Sequence, residues 1–116
     1  MRPTWADIDL EAIEHNVRQL TQVVSPATLC AVVKADGYGH GAVPVARAAV
    51  SAGASWLAVA LVEEGIVLRE AGINEPILLL SEPRPREMVQ VAEYDLRPTV
   101  YSGEGIAAAA AAATQV

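Results

Sequence analysis

Lys34 is the residue whose type and position most clearly indicate a reactive group. It follows an apolar run at positions 29–33 and precedes a loop, residues 37–41, that contains three glycines. The run predicts a buried strand, because it leaves no polar face and is bounded by glycines. Parallel sheets and barrels place their chemistry at the carboxyl ends of strands, where Lys34 would lie. An ammonium beside Val32 and Val33 is poorly solvated, which favours the neutral amine, a nucleophile toward aldehydes.

The loop after Lys34 alternates its glycines with Tyr38 and His40, so a phenol and an imidazole lie near the amine. Glycines let the backbone approach a ligand closely, and a helix predicted from about Ala42 directs its first N–H groups back at this loop. In an arbitrary protein a lysine after a strand more often extends to water. Here the loop favours a site for a phosphorylated aldehyde, of which pyridoxal phosphate is the common one.

A dinucleotide site is the alternative interpretation of the same loop. Gly37, Gly39 and Ala42 fit the G-x-G-x-x-G/A pattern between a strand and a helix. Glu63 and Glu64 follow a second predicted strand at about the spacing of a ribose contact. In a dinucleotide site the pyrophosphate approaches backbone that carries no bulky or charged side chains. Lys34 and Asp36 place two charged side chains in that turn, and they disfavour this alternative.

The remaining polar residues carry weaker signals. Asp36 is predicted to cap the next turn rather than to act in catalysis, and His40 is an acid–base candidate by residue type alone. Two distant histidines and one cysteine form no ligand cluster, so no metal site is predicted. Cys30 is expected to be a buried, inert thiol in the first strand. Arg69 and Glu70 are interpreted as an exposed helix face, and the Arg84–Arg86 pair is interpreted as solvated.

The elements that position these residues repeat in a strand–helix order. Residues 5–10 alternate apolar and acidic side chains, which predicts a short strand, and Asp9 should cap a helix reaching residue 24. Pro98 within the last predicted strand indicates an edge position or a short strand. The predicted strands cover 29–33, 56–61, 77–80 and 96–101, and the helices after them cover 41–52, 63–71, 85–93 and 103–113.

Four strand–helix units predict an α/β fold of parallel βα repeats, the first half of a (β/α)8 TIM-type barrel. An open half-barrel exposes two sheet edges and one apolar face. The alternatives are closure with a second copy, a flattened sheet, or a sequence that forms the front part of a longer protein. The repeating pattern stops at Val116 with no terminating element, and we expect the last of these.

Composition narrows the class of protein. The 116 residues are 53% hydrophobic, which excludes disorder, and the net charge of −6 with a pI near 4.7 argues against nucleic acid or anionic membranes as partners. The N-terminus lacks the basic and long apolar regions of a signal peptide, and no apolar run could span a bilayer. The cytoplasm is the expected compartment.

Three stretches resemble bacterial alanine racemases: VVKADGYGHG, TWADIDLEAIEHNV and VEEGIVLREAGINEPILLL. The likeness runs from Pro3 to about Tyr101, and the motif around Lys34 is the most specific part. The resemblance implies a barrel domain that binds pyridoxal 5′-phosphate, followed by a mostly β C-terminal domain, in head-to-tail homodimers. Residues 1–116 would then be the N-terminal portion of that barrel, with the remaining barrel and the C-terminal domain absent.

The resemblance also implies roles for two residues. Lys34 would bind the cofactor covalently and act as the catalytic base on the D-alanine face, and Tyr38 would donate a hydrogen bond to the cofactor phosphate. The opposite-face base is a tyrosine from a partner subunit, and that role does not transfer to Tyr94 or Tyr101. The implied activity is interconversion of L- and D-alanine, supplying D-alanine for peptidoglycan, with little activity expected from this chain alone. A non-catalytic module that binds pyridoxal phosphate or a protein partner is the second hypothesis.

Overall fold

The computed structural model, which describes residues 2–116, alternates strands with helices along the chain. Its strands are Cys30–Val32 (β1), Trp56–Val59 (β2), Ile77–Leu79 (β3) and Arg97–Pro98 (β4). Its helices are Leu10–Val24 (α1), Lys34–Tyr38 (α2), Ala42–Ser51 (α3), Val62–Glu70 (α4), Met88–Glu93 (α5) and Gly103–Ala113 (α6), with a 3-10 turn at Pro85–Glu87 before α5. The predicted strand–helix order is therefore confirmed.

All four strands are parallel and lie in the order β1-β2-β3-β4. Each strand is linked to its neighbour through at least one helix, which is the connection that parallel pairing requires. β4 is two residues long and occupies one edge of the sheet. Pro98 lies in it, as its missing N–H predicts for an edge strand.

The core fills the space between the sheet and the helices on one of its faces. Leu57 and Val59 of β2 and Ile77 and Leu79 of β3 are buried there, together with Leu68 of α4. These strand residues are two apart because side chains alternate between the faces of a strand. Most of the core therefore belongs to one face of the sheet, although Ala58, on the other face of β2, is fully buried as well.

The opposite face of β1 is open, and it corrects the prediction for Cys30. Cys30 and Val32 are both exposed, whereas Ala31 between them packs against the helical layer. β1 is a sheet edge, and among residues 2–116 no helix covers the face that carries Cys30. Cys30 is thus an exposed thiol rather than a buried one, although partial desolvation of its sulfur still raises the pKa of Cys30.

The predicted N-terminal strand is wrong. Residues 2–9 form neither strand nor helix, and Trp5 is 75% exposed. Alternation alone does not make a strand when no neighbouring strand is there to accept its hydrogen bonds. The predicted cap is confirmed, because the Asp9 carboxylate accepts a hydrogen bond from the Ala12 N–H at 3.0 Å. Val17 is the buried residue of α1, and it packs toward α3.

Arg69 is not part of an exposed face. Its guanidinium is half-buried and donates to four backbone carbonyls: Tyr94 (2.9 Å), and Ile73, Glu75 and Asp95 (2.8 Å each). Two of these carbonyls precede β3 and two precede β4, so Arg69 ties α4 to both following loops. Periodicity could not show this, because a guanidinium that serves backbone carbonyls leaves no signal in the side-chain pattern.

Candidate functional site

Lys34 lies immediately after β1, at the carboxyl end of the sheet, as the sequence predicts. Val33 before it is buried, and the Val33 N–H donates to the Ala58 carbonyl of β2 at 2.8 Å. Lys34 itself is half-buried. It is also the only lysine in the sequence. A single side-chain primary amine thus stands where a parallel sheet places reactive groups.

Lys34 opens a single turn of left-handed helix, where the sequence predicts a loop with three glycines. The φ angles are 51° at Ala35, 54° at Asp36, 63° at Gly37 and 57° at Tyr38. Residues other than glycine disfavour this conformation by about 1 kcal/mol each. Only Gly37 escapes that cost, so the surrounding structure must hold the other three residues in place.

Asp36 closes this turn onto α3. Its carboxylate accepts a hydrogen bond from the Ala42 N–H at 2.8 Å, and its carbonyl accepts one from the Gly41 N–H at the same distance. The prediction that Asp36 caps the next turn is confirmed. The first N–H of α3, that of Ala42, is therefore bound by Asp36 and is not free for a phosphate.

Glu64 holds the turn from the other side. One carboxylate oxygen, Oε2, accepts from the Ala35 N–H at 2.5 Å, and the other, Oε1, accepts from the Ala60 and Leu61 N–H groups at 3.0 and 2.8 Å. This bridge joins the loop after β1 to the loop after β2. The dinucleotide alternative would use Glu63 or Glu64 as the ribose contact, but both carboxylate oxygens of Glu64 are engaged within the chain. An acidic residue in the first turn of a helix was the available signal, and it indicated a cap.

Tyr38 and His40 are both exposed at the end of the left-handed turn. The His40 ring nitrogen Nδ1 lies 3.1 Å from the Tyr38 carbonyl oxygen, so His40 packs back on the turn itself. Tyr94 is half-buried against the core at the end of α5, and Tyr101 is exposed after β4. Of the three tyrosines, Tyr38 is therefore the one that shares the left-handed turn with Lys34.

A second carboxylate, Glu82, joins the loops after β3 and β4. It accepts hydrogen bonds from the Ser102 hydroxyl (2.6 Å), the Tyr101 N–H (2.7 Å) and the Ser102 N–H (2.9 Å). These bonds, the Ser102 hydroxyl first, hold the pKa of Glu82 below its ordinary value. Sequence analysis did not single out Glu82, because its partners lie about twenty residues further along the chain.

A cleft of about 410 Å³ lies near the carboxyl ends of β2 and β3 and is lined in part by Leu61, Glu63 and Glu82. Lys34 does not line this cleft. The candidate site is therefore identified by the reactive amine of Lys34 and not by the presence of a cleft. Within residues 2–116, no cluster of three or more histidine, cysteine or acidic side chains is suited to a metal ion. The same residues include no helix of the length and hydrophobicity that a membrane crossing needs.

A parallel βα sheet with one lysine at the carboxyl end of its first strand defines the class of lysine-bearing βα-barrel proteins. Within that class, residues 8–116 match the family model described as "Alanine racemase, N-terminal domain". The chain belongs to this family. Its four strands and alternating helices correspond to the N-terminal half of the alanine racemase barrel.

Named relatives show how much of the family protein is present. The alanine racemase of Symbiobacterium thermophilum is 53% identical over 104 residues, which are 90% of this chain and 28% of that protein. The solved alanine racemase of Clostridium difficile 630 superposes with a TM-score of 0.92 at 36% identity, over 98% of this chain and 30% of that one. The Bacillus anthracis structure, solved with bound L-Ala-P, gives 0.86 at 40%, over 99% and 31%. The chain thus spans less than a third of these relatives.

Proposed function

We propose that this chain supplies the lysine-bearing segment of a pyridoxal-phosphate-dependent alanine racemase, with Lys34 as the cofactor lysine and a catalytic base. The observation that carries the proposal is the position of Lys34, the only lysine, at the carboxyl end of β1 on a left-handed turn fixed by Asp36 and Glu64. An amine held on so constrained a backbone is suited to one defined direction of attack.

The residues of the turn fit pyridoxal phosphate in their chemistry. The primary amine of Lys34 is the group that reacts with an aldehyde, and the exposed Tyr38 hydroxyl on the same turn is a donor for a phosphate oxygen. When bound, the cofactor acidifies the α-hydrogen of an amino acid by delocalising the resulting carbanion. Tyr38 would then orient the phosphate while Lys34 holds the cofactor.

Racemisation needs proton transfer on both faces of a planar carbon. The Lys34 Nζ would remove the α-proton from D-alanine, or return one to that face. A tyrosine of a partner subunit, beyond this chain, would serve the L-alanine face in a homodimer of the whole protein. We therefore expect little racemisation from residues 1–116 alone. In the whole protein, the product D-alanine would supply peptidoglycan.

Hydrogen exchange in deuterated water tests the proposal. With pyridoxal phosphate added, the chain should exchange the α-hydrogen of D-alanine faster than that of L-alanine, because the base it carries serves the D face. The Lys34→Arg variant with the same cofactor should fall to the rate of free cofactor. Equal rates for the wild type and the variant would contradict the assignment of Lys34 as a base.

A non-catalytic module that binds pyridoxal phosphate is the second candidate function, because no residue of this chain is assigned as the second base. Tyr101 is exposed and distant from Lys34 in sequence, and it is not assigned that role. That candidate predicts capture of pyridoxal phosphate at Lys34 with no α-hydrogen exchange above the Lys34→Arg rate. The dinucleotide alternative is disfavoured, because Asp36 and Glu64 bind the backbone groups that the pyrophosphate would need.

A further inference from the structure

We propose that Glu64 is a positioning residue for Lys34: its carboxylate fixes the peptide plane that follows the lysine and thereby sets the direction of the amine. This inference rests on the proposed role of Lys34. Glu64 acts through the Ala35 N–H, which its carboxylate binds, and not through the amine.

The bond to Ala35 acts on the lysine backbone directly. The Ala35 N–H belongs to the peptide bond that follows Lys34, so a fixed N–H direction also fixes the backbone rotation at Lys34. That rotation determines where the Lys34 side chain leaves the main chain. At 2.5 Å this is a short contact for a carboxylate acceptor.

The anchor of Glu64 is independent of the lysine loop. Its Oε1 atom accepts from the N–H groups of Ala60 and Leu61, the two residues that lie between β2 and α4. β2 is the hydrogen-bonded neighbour of β1 and is buried from Leu57 to Val59. The Glu64 carboxylate therefore links the rigid end of β2 to the turn after Lys34. The left-handed backbone of that turn is unfavourable by itself and is stabilised by this link.

Charge and length both matter in this bridge. A carboxylate offers acceptors on both oxygens, whereas Glu64→Gln keeps the length but turns one of the two ends into a donor facing an N–H group. Glu64→Asp keeps the charge at the α4 N-terminus but is one methylene shorter. It should therefore still cap α4 while losing Ala35. Glu63, exposed in the same helical turn, provides the matched control Glu63→Gln.

The test follows the capture of pyridoxal phosphate by borohydride reduction over time, with the adduct located by peptide mass spectrometry. Glu64→Gln and Glu64→Asp should each slow labelling of Lys34 roughly tenfold, the effect of losing one hydrogen bond to a charged group. Glu63→Gln should label at the wild-type rate. Amide exchange at Ala35 should accelerate in both Glu64 variants without added cofactor, while exchange in β2 stays slow in Glu64→Asp.

The outcomes separate the two proposals. Wild-type labelling of Lys34 together with unchanged labelling in Glu64→Asp would overturn the positioning role and leave the role of Lys34 intact. Absence of Lys34 labelling in the wild type would overturn the proposed function itself. In that case faster Ala35 exchange in Glu64→Asp would still support the backbone bridge, and unchanged exchange would contradict it.

Discussion

The Asp36 carboxylate accepts a hydrogen bond from the Ala42 N–H at 2.8 Å, and this contact joins the left-handed turn after Lys34 to the first residue of α3. Asp36→Ala removes the cap and should lower the free energy of unfolding by about 1 kcal/mol. Asp36→Asn keeps an acceptor oxygen and should stay close to the wild type. Urea unfolding measures both variants. Equal destabilisation by Ala and Asn would mean that the charge, and not the acceptor, matters at position 36.

Gly105 in the first turn of α6 lies so close to the Glu82 carboxylate that an added Cβ would overlap it. Gly105→Ala gains up to about 1 kcal/mol of helix propensity but has to displace Glu82. Gly103→Ala, with open space around its Cβ position, is the matched control. We expect thermal unfolding of Gly105→Ala at a lower temperature than that of Gly103→Ala. The reverse order would show that Glu82 moves aside at no cost.

The lowered pKa of Glu82 links stability to pH. The folded state favours the charged carboxylate, so the stabilisation is fully present above the ordinary glutamate pKa and is lost as the pH falls through the folded one. Glu82→Gln should therefore unfold at a lower temperature than the wild type at neutral pH, and the gap should close on acidification. Glu104→Gln, at an exposed position in the first turn of α6, is the control. A difference in unfolding temperature that does not change with pH would contradict the link between the ionisation of Glu82 and stability.

Arg69 binds four backbone carbonyls, and of these the Asp95 carbonyl also accepts a longer hydrogen bond from the Arg97 guanidinium at 3.4 Å. Arg69→Met keeps much of the apolar stem but leaves these carbonyls without the guanidinium, and we expect a loss of about 2 kcal/mol or more in the free energy of unfolding. Arg86→Met, at an exposed position, should change it by about 0.5 kcal/mol at most. Denaturant unfolding of the two variants gives the comparison. Similar values for both would show that the guanidinium contacts contribute little.

The strand–helix order was predictable because apolar runs and glycine or proline boundaries are local signals. β2 and β3 were each located to within two residues, and α6 was predicted at its observed bounds. The strand predicted before α1 was wrong because strand formation depends on a neighbour, and the sequence pattern contains no information on whether that neighbour exists. The prediction that Cys30 is buried was wrong for a related reason, because the face of β1 that carries Cys30 is exposed.

The position of Lys34 was predictable from its place after an apolar run, but the backbone that presents it was not. A left-handed turn through Ala35, Asp36 and Tyr38 contradicts local preference and depends on contacts with Glu64, 29 residues away from Ala35. Residues that bind main-chain groups, such as Arg69 and Glu82, leave no periodic pattern. Their hydrogen bonds to the main chain could be identified only from the structure of the loops.

Capture of pyridoxal phosphate tests the central claim most directly. The purified chain is incubated with the cofactor, reduced with borohydride, and mapped by mass spectrometry. Lys34 is the only lysine, so the N-terminal amine is the internal reference for unselective reaction. We predict that Lys34 is labelled well before the N-terminal amine, and that prior unfolding in urea removes this preference. Label on the N-terminal amine alone, or equal labelling of both amines in the folded chain, would contradict the assignment of Lys34 as the cofactor lysine.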